Sequence, residues 1–294
     1  MSPETIAQIA LTGLTVGAMY ALATIGLSLI WGSLGMLNMA HGVLLTIGGY
    51  SAYAAVSVAG LPWPMGIAAA LLFGALIGLL LYFGVVRWMV GTANFETNII
   101  IASFGVAIAL ENSVLQIFGG QPFGQPLVMR GAVDIGLVSV PYQNIIIVVG
   151  SAGLMLVASY VMQQTRLGRA IRAVSQQRDA AGLMGVPVQR IFLIVLVFSG
   201  MLSAISGVML TSSTQLAPAL GQDPMIKAFI MCVVAGLGHI GGAVAMAFAL
   251  AMIETASQFW LGARWGFPTL LTLVILVLIV RPAGLFGRVS INRL

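Results

Sequence analysis

The sequence predicts an all-α, polytopic membrane fold of about eight or nine transmembrane segments, some of them short and broken, with a helical island in water on the cytoplasmic side. Three observations predict it. Of 294 residues, 60% are hydrophobic and only 6% charged, with a mean hydropathy of +1.08; such a balance excludes a soluble globular domain. Apolar runs long enough to span a bilayer recur from end to end, so residues 1–294 read as one transmembrane domain. The least hydrophobic stretch, 163–190, holds Arg166, Arg169, Arg172, Arg178 and Arg190 against a single acid, Asp179. Each arginine at mid-bilayer costs about 2.5–3.5 kcal/mol on insertion scales, so this group must face water.

Taken in order, spans are predicted near 6–30, 37–57, 64–86, 97–118, 143–162 and 191–213, then two shorter pieces near 226–238 and 241–258, and a last span near 267–281. The arginine excess places 163–190 in the cytoplasm. Alternation then puts loop 119–142 outside, the N-terminus outside with Glu4 as its charge, and Arg281, Arg288 and Arg293 inside. The start, Met1-Ser2-Pro3-Glu4, lacks the basic region of a cleavable signal and is read as retained. Loop 119–142 is rich in Gly and Pro, and alternation over 128–133 predicts a short hairpin turning at Arg130-Gly131.

Two breaks interrupt the apolar pattern: Gly32-Ser33-Leu34-Gly35 before Asn38, and Gly236-Leu237-Gly238-His239-Ile240-Gly241-Gly242. Paired broken segments point to a transport pathway, because unwound backbone is tolerated only beside protein or water. Close helix packing explains such glycines equally well. The pathway reading selects Asn38 and His41 in the first break, Glu111 and Asn112 near the outer mouth, and Gly236, Gly238 and His239 in the second. For His41 a hydrogen bond to a facing carbonyl is the simpler expectation. Glu111, Lys227 and Glu254 are further ionisable groups within spans, costly there and often functional.

Absences narrow the chemistry. The single lysine, Lys227, is not part of a phosphate-binding loop. Two histidines and one cysteine, far apart, make no metal cluster, and no nucleophile elbow or paired-carboxylate site is present. The net charge of +5 follows from the inside bias of loop arginines and requires no nucleic acid. Neither a metal nor a cofactor in this chain is expected.

Within 165–177, Leu167, Ile171 and Val174 share one helical face while Arg166, Arg169 and Arg172 share another, predicting a basic amphipathic helix that continues the preceding span and meets lipid headgroups. After it, Asp179 supplies an acidic first turn, Ala180, Ala181, Leu183 and Met184 a small apolar knob, Gly185 a stop and Pro187 a breaker. A knob with no core of its own predicts a groove on a cytoplasmic partner.

Asp179-Ala180-Ala181, three residues, then Gly185 resembles the E-A-A-x-x-x-G cytoplasmic loop of ABC importer permeases, with Asp for Glu. Four further stretches are similar to the LivH-type permeases for branched-chain amino acids: Thr165 to Ala173 with Leu183-Met184-Gly185-Val186; Asn38-Met39-Ala40-His41-Gly42, against N-F-A-H-G; Gly236 to Ala243, against G-G-[IL]-G-S-x-x-G-A; and Arg281 to Gly287. Val43 stands where that group often has an acid, and His239 where it has a small residue. The resemblance implies a second permease, most simply a paralogue, two cytoplasmic ATPases that bind ATP and magnesium, and a periplasmic solute-binding protein. It also implies that residues 166–185 couple to the ATPases, and that the substrate is a branched-chain amino acid or, within the same group, urea, an amide or an aromatic carboxylate. An ion-coupled secondary transporter is the alternative from another class; it would need a titrating carboxylate such as Glu111.

Overall fold

The structure is a computed structural model and describes residues 3–92, 94–129, 131–135 and 138–287. Helix α1 (Pro3–Leu34) is followed by a non-helical stretch and α2 (His41–Tyr53), which ends in a π-helical turn at Ala54–Val58. Next, α3 (Trp63–Leu81) passes through a π-helical turn (Tyr82–Val86) into the three-residue α4 (Arg87–Met89), and α5 (Phe95–Phe118) returns. An antiparallel hairpin, β1 (Ala132–Ile135) and β2 (Val138–Pro141), precedes α6 (Tyr142–Gln164). Two short helices, α7 (Arg166–Gln176) and α8 (Arg178–Leu183), lead to α9 (Val188–Ser213), then α10 (Gln222–Ala235), α11 (Ile240–Leu261) and α12 (Gly266–Val280). Seven helical segments among the described residues are long and apolar enough to cross a membrane; α2 and α10 are the short ones.

α1 lies at the centre. Its 32 residues extend about 48 Å at the helical rise, longer than a bilayer core of about 30 Å. Lacking a polar face, it is buried along most of its length by α11, α9, α6 and α10. Helix α11 runs antiparallel to it: Gly13 and Gly17 meet Met252 and Phe248 near one end, and Gly32 meets Gly238 at the other. A second contact layer joins α9 to α2 and α3. Here small residues decide the spacing: a Cβ on Gly48 would collide with the backbone of Ala204, and one on Gly207 with that of Leu45. In lipid, where apolar surface gains nothing by burial against another helix, such backbone approach is the main source of packing energy.

The bundle thus has an arginine end, where α1 finishes beside α7, α8 and the α10–α11 turn, and a hairpin end. At the hairpin end Gln125 donates to Thr211 Oγ1 at 2.8 Å, and Phe123 bridges Leu216, folding the long loop onto α2 and α9. Three sequence expectations are corrected. The hairpin does not turn at Arg130-Gly131: its first strand only begins at Ala132 and pairs, Val133 with Val140 and Ile135 with Val138, so the strands are joined after Ile135; Arg130 itself lies outside the described residues. Helix α1 does not break at Gly32, because Ser33 bonds back to Leu29 O at 2.6 Å and the helix continues to Leu34. Nor does α7 continue α6: Thr165 is extended and its Oγ1 caps α7 through Gly168 N at 3.1 Å, so the chain bends there.

Helix α10 is held by charge. Lys227 Nζ reaches Glu254 Oε1 of α11 at 2.5 Å and Tyr20 Oη of α1 at 3.1 Å, and Gln258 donates to the same carboxylate oxygen at 3.1 Å. It is the only salt bridge among the described residues. Sequence reading treats Lys227 and Glu254 as separate intramembrane charges; the structure makes them one neutralised pair.

Candidate translocation and coupling sites

The first break runs from Gly35 to Ala40 as non-helical chain penetrating the bundle beside α1. Asn38 Oδ1 accepts from Ala40 N at 3.0 Å and Ser103 Oγ of α5 accepts from Met39 N at 3.0 Å, while the buried Asn38 Nδ2 finds no partner among the described residues. His41 opens α2 and is wholly buried, its Nε2 donating to Ala23 O at 2.8 Å with Ser203 Oγ 3.1 Å away. Asn38 and His41 are therefore both buried in the interior, His41 bracing α2 against α1 and α9, and neither lines the cavity described next. The buried chain needed those bonds more than a solute did.

What does open beside this break is a cavity of about 290 Å³ between α2, α5 and the start of α10. Met39, Gly42, Val43 and Thr46 form one wall, Phe104, Ala107 and Ile108 of α5 a second, and Met225 and Ile226 a third. Glu111 lies on the same face of α5 as Phe104 and Ile108, two turns beyond Ser103 toward the hairpin end. Both of its carboxylate oxygens accept from Gln222 Nε2 at 3.0 Å. Asn112 is exposed and spends its amide on Ile108 O at 2.8 Å, outside the cavity lining. Sequence reading missed Gln222, Phe104 and Met225; only the fold brings α5 and α10 together.

The second break is a tight turn at the arginine end. Gly236 (φ 101°) and Gly238 (φ 86°) adopt left-handed conformations that other residues resist. His239 caps α11, its Nδ1 accepting from Gly242 N at 2.9 Å, and its ring stacks 5.7 Å from that of Phe286. The segment after α12 pays the orphan carbonyls of α10, with Leu285 N on Val234 O and Phe286 N on Ala235 O. Gly236, Gly238 and His239 thus sit a full length of α10, about 20 Å, from the cavity at its other end. The two breaks approach each other at the arginine end instead, where Gly35 and Gly238 line a common cavity of about 460 Å³.

On the segment expected to couple to partners, Arg166, Arg169 and Arg172 are exposed on α7, whose Ile171 and Val174 are buried. Arg172 Nη1 donates to Met162 O at the end of α6. Helix α8 carries Asp179 in its first turn and stops at Gly185 (φ 82°). Its apolar residues divide. Leu183 and Met184 are 91% and 85% exposed, whereas Ala181 is buried against the protein's own core and Ala180 is half-buried. The expected alanine-bearing knob is corrected: the alanines let α8 approach the bundle, and the exposed step is Leu183-Met184. Arg178 is also turned inward, toward Leu34 O at 2.7 Å.

Among the described residues no group of three or more His, Cys, Asp or Glu could hold a metal ion. Comparison with known proteins agrees with the architecture. Residues 9–280 match the family model for the branched-chain amino acid transport system permease component. The chain is 28% identical over 96% of its length, and 95% of the relative's, to the high-affinity branched-chain amino acid transport system permease protein LivH of Salmonella typhimurium. It has the same identity and coverage with BraD of Pseudomonas aeruginosa, which carries the same description. A solved structure, PsaBC from Streptococcus pneumoniae in complex with Fab, superposes over 95% of this chain and 92% of that one with a TM-score of 0.51 at 15% identity, a likeness of fold. The chain belongs to the branched-chain amino acid transport system permease family and is a multi-pass transmembrane subunit of an ABC importer.

Proposed function

We propose that this chain forms half of a route for branched-chain or related amino acids across the cytoplasmic membrane, with the arginine end in the cytoplasm and the N-terminus and hairpin outside. ATPase partners, which bind ATP and magnesium and perform the hydrolysis, dock on α8; a second permease faces the α5 side; a solute-binding protein delivers at the hairpin end. The names of the relatives support the substrate class. So does the cavity, with apolar walls for an aliphatic side chain, the Glu111 carboxylate for an ammonium group, and the positive end of α2 for a carboxylate.

The observation that carries the coupling role is the exposed Leu183-Met184 step at the end of a helix anchored by its buried Ala181. Two large apolar side chains in water, beside a left-handed glycine that fixes their presentation, suit a groove on a partner. Replacing both, Leu183→Asp with Met184→Asp, is expected to release the ATPase subunits on purification while the permease remains monodisperse in detergent. Retention of the ATPases at wild-type stoichiometry would refute the docking role.

A further inference from the structure

Arg178 joins four elements. It opens α8; its Nη2 donates to Leu34 O, the last carbonyl of α1, at 2.7 Å; its guanidinium carbon lies 4.9 Å from the ring centroid of Phe192 in α9 and 5.6 Å from that of Phe95 in α5. A cation at a helix C-terminus meets unsatisfied carbonyls and the negative end of the dipole. Two aromatic faces around a planar guanidinium add attraction that a lysine would not reproduce. Among the described residues no carboxylate pairs with it, so its charge is committed to these groups.

Leu34 is followed at once by Gly35, at φ 63°, where an added Cβ would meet nothing within 4 Å. From there the non-helical chain leads to Asn38, which holds Ala40, and into the first turn of α2, which walls the 290 Å³ cavity. A second cavity, about 460 Å³, is lined by the end of α1, α7 and the α10–α11 turn, with Arg178 and Gly35 both in its lining. The end of α1 is therefore tied to α8 through Arg178 and borders this cavity at Gly35.

We infer that Arg178 is the positioning residue that carries a displacement of α8 into the α1–α2 break, so that the docking step and the cavity wall move together. The inference rests on the coupling role proposed above for α8. No contact of Arg178 with an ATPase or with substrate is required.

The test uses the complete importer in lipid nanodiscs, in a Cys232→Ala background with spin labels at Met39 and Met184 of the same chain and a reference label on α12. Wild type is expected to show nucleotide-dependent distance changes from the reference to both positions. In Arg178→Gln the change at Met184 persists and the change at Met39 is lost, with substrate-stimulated hydrolysis falling about tenfold, the scale of a lost charge-assisted bond. Assembly is unaltered. A merely structural role would reduce assembly or thermal stability and leave the two distance changes linked. Should Arg178→Gln fail to assemble, Phe95→Leu with Phe192→Leu decides, since it frees the guanidinium and keeps apolar volume; about a threefold loss of stimulation is expected. Full stimulation in the variant that assembles, with movement at Met39 intact, overturns the inference. Failure of the Leu183/Met184 substitution to release the ATPases would instead strike the docking role on which it rests.

Discussion

The two chain breaks look alike as strings of glycine and polar residues and do opposite things in the fold. Between Gly35 and Ala40 the chain is drawn out through the bundle interior, braced by Asn38, Ser103 and His41, and ends where α2 begins beside a cavity. From Gly236 to His239 it reverses within four residues, capped by His239 and sealed by the backbone of Leu285 and Phe286. The difference lies in who satisfies the backbone. The turn at the bundle end is closed by a cap and by backbone from the segment after α12, whereas the buried extended chain draws on side chains, its own Asn38 and Ser103 of α5. Those side chains are what tie the first break into the bundle interior.

Helix α10 links the two regions, its start walling the cavity and its end forming the turn, so loosening it disturbs both. Lys227→Met or Glu254→Gln alone leaves a buried charge unpaired and should cost about 3–5 kcal/mol, read as a lower thermal midpoint in detergent. The double change Lys227→Met with Glu254→Met should recover most of that loss; no recovery would mean the pair is more than a neutralised tether. At the first break, His41→Ala removes a bond to Ala23 and leaves a void, an expected loss of about 2–3 kcal/mol. Transport by the surviving protein should fall with its amount and not through a changed substrate KM; a changed KM would return His41 to the pathway. The second break should be more forgiving. His239→Ala forfeits one cap, about 1 kcal/mol, and His239→Asn should restore it, with uptake unchanged in both.

Much of this architecture is legible in the residues. Every span from 6–30 to 267–281 corresponds to an observed helix within a few residues, because a bilayer demands long apolar runs and the arginine cluster must leave it. The stop at Gly185 follows from its local chemistry. Depth is not legible. Nothing in Gly236-Leu237-Gly238-His239 tells that the turn lies beside α1's last residues, since Gly32 and Gly238 meet only when α1 and α11 pack antiparallel. Facing is lost for the same reason: Ala181 and Leu183 are both apolar, and only the lie of α8 against the bundle sends one inward and leaves the other in water. Gln222 is one polar residue among several until α10 brings it to Glu111.

The most direct measurement is substrate protection of single cysteines in the Cys232→Ala background, one at Met39 in the first break and one at Leu237 in the second. In the assembled importer a small thiol reagent should modify Met39→Cys more slowly when branched-chain amino acid and loaded solute-binding protein are present, and modify Leu237→Cys at an unaltered rate. Protection at 237 with none at 39 would contradict the assignment of the cavity between α2, α5 and α10 as the route.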